Sequence, residues 1–172
     1  MTRVYVPTTL LGLARAQKQG TLDDAEEAET PDGRHLPAHA VTGAVREWYL
    51  EGNLEELEYS ALIDAAESSL RLLALQPEAP RRRVVVAIDV PEALVVPGGE
   101  HRSSVRIAGP VALSRVVSVH VDEVDSEPTI VAAVDALAAA ADGDDEARFQ
   151  LDEAEACDLL WYDISEIDDL IG

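Results

Sequence analysis

The hydrophobic positions of this chain switch between a period of two and a period near three and a half. From Val84 to Val90, the residues Val84, Val86, Ile88 and Val90 alternate with Val85, Ala87 and Asp89, so both faces are apolar until Asp89. That is the pattern of a central strand covered on both sides. Val105 and Ile107 alternate with Ser104, Arg106 and Ala108, and Val117, Val119 and Val121 with Ser118, His120 and Asp122, as half-exposed strands do. Arg81 to Glu123 is thus the expected centre of a sheet, with Gly98-Gly99 and Gly109-Pro110 as turns.

Helical spacing flanks this stretch. A long helix is predicted from Leu54 to about Leu75, with Leu54, Leu57, Ala61, Ala65, Leu72 and Leu73 near one face and Pro77 and Pro80 beyond its end. Thr8 or Thr9 caps a helix running to about Gln19, with Gly20 as its stop. Another runs from Thr42 past Trp48 and Tyr49 to a break at Gly52-Asn53, and an Ala-rich one from Ser126, with Pro128 in its first turn, to about Ala141. Val4-Tyr5-Val6 reads as a short strand ended by Pro7, Phe149 to Leu151 as a short extended piece, and Leu159 to Ile164 as a last strand before a turn capped by Ser165. Residues 21–37 are polar, acidic and broken by Pro31-Asp32-Gly33, the pattern of a flexible loop; Asp142 to Glu146 form a second acidic loop. The expectation is a single α+β domain over residues 1–172, with a small mixed or antiparallel sheet of about five strands and four to five helices packed on it.

Composition sharpens this. The 172 residues are 47% hydrophobic but only 4% aromatic, so the core is built from Ala, Val, Leu and Ile and is large enough to need no disulfide or metal. The net charge is −21, and 17 of the 34 acids lie in residues 121–172, where Arg148 is the only Lys or Arg. Such a field repels nucleic acid and anionic membrane surfaces and favours a protein partner with a basic segment. The single Cys157, the absence of an apolar run of about 18 residues and an opening MTRVYVP without a leader pattern point to the cytoplasm.

No phosphate loop, GxGxxG, GxSxG or HExxH is present, and no cofactor is implied. Four His and one Cys show no metal-ligand spacing. Asp142, Asp144 and Glu146 alternate as in a calcium loop, but Ala147 stands where that loop needs glycine. His120 shares a strand with Asp122, a placement that orients an imidazole and raises its pKa. Arg81-Arg82-Arg83 read as partners of neighbouring carboxylates. The pairs Trp48-Tyr49 and Trp161-Tyr162 read as core anchors, with a partner interface as the other reading.

The runs HAVTGAVREWY (39–49), ELEYSALIDAAESSLRLLA, RRRVVVAIDVP and DLLWYDISEIDDLI together resemble a family of uncharacterised actinobacterial proteins, over nearly the whole chain. The order of VYVPTT, a helix ending at Gly20, His39, VVVAIDVP and GPVALSRVVSV is fainter in its likeness, and looks like the ADP-ribosyltransferase-like fold. In that fold a first strand with a Tyr-His-Gly-Thr motif begins the nicotinamide pocket; Tyr5-Val6-Pro7-Thr8 here lacks the His and the Gly. Two functions follow as expectations. One is a non-enzymatic protein that acts by protein–protein binding. The other, implied by this second resemblance, is a catalytically inactive binder of a nucleotide or other small molecule, with a cleft near Tyr5, Thr8, His39 and Trp48; His120 is a further candidate.

Overall fold

A computed structural model describes residues 1–23 and 35–172. Its centre is a strand, β4 (Val84–Val90), in which every residue but Asp89 is buried. The exception is neutralised by Arg3, whose Nε donates to Asp89 Oδ1 at 2.7 Å. Around it lie β1 (Thr2–Thr8), β3 (His35–Ala40), β5 (Val95–Pro97), β6 (Ser104–Ala108), β8 (Val116–Asp122) and β9 (Leu159–Tyr162). They form one antiparallel sheet in the order β5-β6-β3-β1-β4-β8-β9, and β2 (Thr21–Leu22) pairs separately with β7 (Val111–Ala112).

The sheet therefore has seven strands where about five were expected. The strand β3 reads HLPAHA, and its first three residues fall in the expected 21–37 loop; its proline and two histidines mask an alternation that buries Leu36, Ala38 and Ala40. β5, three residues with a proline at its end, is too short to show a period. The middle of the expected loop, residues 24–34, lies outside the described residues, and its two ends are strand. Pro7 does not end β1: it stays in register opposite Val85.

The period of two sorts the core into two faces. Val4, Val6, Val84, Val86 and Ile88 pack on one side with Leu10 and Leu13 of α1 (Leu10–Gln19) and Ile167 of α6 (Ile167–Ile171). Tyr5, Val85 and Ala87 pack on the other with Ala61, Ala65 and Ala66 of α3 (Leu54–Leu75). Alanines on that helix face let its backbone come close to the sheet. Further along α3, Leu70 and Leu73 meet Ile130 and Ala133 of α4 (Glu127–Ala141) and Ala154 of α5 (Asp145–Glu155).

Local signals explain the ends. Thr9 accepts from Gly12 N–H at 3.1 Å to start α1, and Gly20, at φ 79°, stops it; Asn53 accepts from Glu56 N–H at 2.9 Å to start α3. Asp144 caps α5 in the same way through Ala147 N–H, so Phe149 to Leu151 is helical, not extended. Its apolar residues at 147, 151 and 154 have helical spacing, hidden by the acids between them. The last turn is capped by Asp163 with Glu166, not by Ser165. No helix among the described residues is long and apolar enough to cross a membrane.

Candidate functional site

The site is a fork in the sheet. β1 and β3 pair only at Val4 with Ala40 and Tyr5 with His39, after which β1 follows β4 and β3 follows β6. Continuing the register would set Pro7 opposite Pro37. Ala40 N–H bonds Ser103 O on the β6 side, so by alternation His39 and Pro37 turn their backbone polar groups toward β1. The Thr8 carbonyl faces β4, where the Ser69 hydroxyl bridges it to Val84 N–H, so Pro7 turns toward β3. Both positions at which the ladder next needs an N–H are thus prolines, which have none.

The strands part into a cleft of about 470 Å³. Val6, Pro7 and Thr8 line one bank, Leu36, Pro37, Ala38 and His39 the other, and Ser68 and Gln76 come from the α3 side. Arg15 of α1 and Arg106 of β6 reach its walls, and neither has a hydrogen-bond or ion-pair partner among the described residues. Gly12 borders Thr8 so closely that a Cβ there would collide with the Thr8 hydroxyl.

His39, at the point of the fork, is 4% exposed and fully bonded. Its Nδ1 lies 2.8 Å from Ser103 Oγ, and Nε2 lies 2.8 Å from Ser68 Oγ. Ser103 donates its only hydroxyl proton to Asp64 Oδ2 at 2.7 Å. It must therefore accept from Nδ1–H, which leaves Nε2 bare to accept the Ser68 proton. The chain of donors runs Ser68, His39, Ser103 and ends on the Asp64 carboxylate as acceptor. Burial, then the charge of His101 when protonated, pushes the His39 pKa down to about 4. The His101 ring meets it edge-on at 5.4 Å and bonds Glu67 Oε2 at 3.2 Å.

Order of donors and electrostatics point in different directions, and magnitude decides. A serine held by an imidazole held by a further acceptor is the order of nucleophile, base and orienter. With a pKa of about 4 against roughly 6.5 for a free imidazole, however, His39 is a base some hundreds of times weaker. The pair is built to stay neutral and present a hydroxyl, which suits ligand binding better than proton transfer.

Of the five residues singled out in the sequence, the structure joins three. Thr8 and His39 line the cleft, and Tyr5 is the cross-strand partner of His39. Tyr5 packs under α3, its hydroxyl 3.4 Å from Glu58, and burial followed by that carboxylate pushes its pKa up to about 12. Trp48 stands outside the cleft, 60% exposed, with the Arg102 guanidinium 3.6 Å above its ring. Tyr49 and Trp161 are also exposed, so the expected core anchors are on the surface; only Tyr162 packs against the core. His120 sits on β8, three strand spacings or roughly 14 Å from β3. Burial and Arg3 lower its pKa where a raised one was expected, because Asp122 is committed to Arg83 and His120 bonds Ser118 instead. Ser68, Ser103, Asp64 and His101 were missed. Their one signal was Ser68-Ser69, two hydroxyls in the Ala- and Leu-rich middle of α3.

Fold and site together define a single-domain α+β protein whose antiparallel sheet forks around a cleft lined by both polar and apolar side chains. The chain belongs to a family of unknown function, DUF6912, whose sequence model matches residues 2–171. No curated protein and no solved structure matches it.

Proposed function

We propose that the protein binds a small, hydroxylated, anionic molecule of the nucleotide kind in the forked cleft. The observation that carries this is the fork itself, which opens a volume in the range of small-molecule sites at the Ser68–His39 pair. Ser68 and Thr8 offer hydroxyls to a sugar-like body, and Arg15 and Arg106 offer guanidinium groups that have no partner among the described residues to a phosphate or carboxylate. A thermal-shift screen with NAD, ADP-ribose and mononucleotides tests it. A ligand at a hundred times its dissociation constant adds about 2.7 kcal/mol, which raises the midpoint of a domain this size by roughly 5–10 °C. The shift should vanish in Arg106→Ala; no shift with any of these molecules counts against the reading.

One observation favours a second reading, a protein-binding surface. Trp48, Tyr49, Leu50, Leu54 and Tyr59 are all exposed around α2 (Gly43–Trp48) and the start of α3, and Glu47, Glu51, Glu55 and Glu56 are exposed among them. Apolar anchors with an acidic rim suit an amphipathic basic segment. Binding of a Lys- and Leu-rich helical peptide should weaken at least tenfold in Trp48→Ala/Leu50→Ala, and equal binding by both proteins would remove this reading.

A further inference from the structure

Behind the cleft, Asp64, Glu67 and His101 each offer a ligand atom, and these atoms lie within 4.8 Å of one another. Asp64 and Glu67 are three apart on α3, the spacing that puts two side chains on one helix face. His101 reaches them from the turn between β5 and β6, where Gly98 and Gly99 have φ of 145° and 140° that only glycine adopts easily. The turn is closed by Gly98 N–H on Ser104 O and by His101 N–H on Ser104 Oγ. The His101 Nε2 to Glu67 Oε2 separation of 3.2 Å equals the spacing of two ligands on one ion with bonds of about 2.0 Å.

Each ligand is also held from behind. Asp64 Oδ2 takes the Ser103 proton, which leaves Oδ1 for an ion; Ser103 is fixed in turn by His39. Glu67 Oε1 takes Arg71 at 3.2 Å, and Arg71 is held by Glu100 at 2.7 Å, which leaves Glu67 Oε2 facing His101. The His101 ring is braced edge-on by His39. Partners of this kind set the orientation of metal ligands, and an isolated surface ion pair has no need of them.

We propose that Asp64, Glu67 and His101 bind one first-row divalent transition ion such as Zn²⁺ or Mn²⁺. Two carboxylate oxygens and one imidazole nitrogen suit these ions better than Ca²⁺, which takes six to eight oxygens. Three protein ligands leave coordination positions for water, the composition of open sites. His101 also lines the cleft, so the ion sits at its edge, yet the inference stands whether or not the cleft takes a nucleotide.

The test is a calorimetric titration of the tag-free full chain, first stripped of metal, with Zn²⁺ and with Mn²⁺, in the absence of any other ligand. One ion per chain is expected for at least one of the two metals, with affinity lowered tenfold or more in both His101→Ala and Glu67→Gln. Both side chains are at the surface or half-buried, so neither change threatens the fold. An adventitious ion on the many surface acids would bind weakly, with several ions per chain, and equally to all variants. That result, or no binding of either metal, overturns the site.

Discussion

Tyr5 and His39 are the last cross-strand pair before β1 and β3 separate. Two residues further on, both strands carry a proline at the position that should donate the next ladder bond. In Pro7→Val/Pro37→Val the missing donors return, and the ladder is expected to extend by one bonded pair, adding about 1–3 kcal/mol at the usual net value of two hydrogen bonds. Amide exchange reads this directly: the new amide at 37 should be protected to the same degree as that of His39. Fast exchange at 37 would mean that side chains in the cleft hold the strands apart, and the prolines do not.

The elements legible in the sequence were those with many apolar residues in one period. β4 showed itself through seven consecutive residues, and α3 through a stripe that needed no cap to be recognised, although Asn53 marked its start. What stayed hidden were elements whose burial is made by few or unusual residues. β3 buries a histidine, and α5 buries only two alanines. The site was half legible for the same reason. Thr8 and His39 could be suspected as polar residues beside strands, but Ser103 and Asp64 are 39 positions apart and meet only because the β5–β6 turn folds onto α3. Trp48 and Trp161 misled because large aromatics are usually buried, while this core is filled by small aliphatic side chains.

Burial gives His39 a specific acid signature. Its pKa is about 4 in the folded protein and roughly 6.5 in the unfolded chain, so between those values the unfolded chain binds a proton that the native one refuses. Stability is therefore unaffected by this group above about pH 6.5 and falls as pH drops toward 4, by at most about 3 kcal/mol. The groups around it are Ser68 and, through Ser103, Asp64 on one side and His101 with Glu67 on the other. Urea unfolding at pH 7 and pH 4.5 should show a smaller loss in His39→Gln than in the parent. His120, also lowered, contributes in the same direction to both proteins and cancels. Equal losses would place the acid sensitivity elsewhere.

Arg83 and Asp122 form a buried pair that ties the start of β4 to the end of β8. Asp122 accepts from Arg83 Nε at 2.9 Å, from Nη2 at 2.8 Å and from its backbone N–H at 2.8 Å, and Nη2 also reaches the Cys157 carbonyl at 3.0 Å. Removing only the acid leaves a buried guanidinium uncompensated, so Asp122→Ala should cost about 3–5 kcal/mol. Replacing both, as Arg83→Met/Asp122→Leu, should cost less, since no charge is then stranded and only the Arg83 backbone N–H and the Cys157 carbonyl lose a partner. Chemical denaturation of the two variants measures the difference, and a double variant as unstable as the single one would contradict it.

Ser68 and Ser69 are adjacent on α3 and do opposite things. Ser69 is fully buried, and its hydroxyl is inserted into the β1–β4 ladder, accepting from Val84 N–H at 3.0 Å and donating to Thr8 O at 2.7 Å. Ser69→Ala strands a backbone donor and a backbone acceptor in the core, for a loss of about 1–3 kcal/mol. Ser68 gives its proton to His39 at the cleft, where water can replace it, so Ser68→Ala should cost under about 1 kcal/mol. The ligand readout should reverse this order. Ser68→Ala should weaken any nucleotide that shifts the melting temperature, because the hydroxyl lies in the cleft. Ser69→Ala should lower the melting temperature of the free protein while leaving the ligand-induced increment in place. If both variants lose stability alike and ligand response alike, the two hydroxyls share one structural role, and Ser68 is not a binding group.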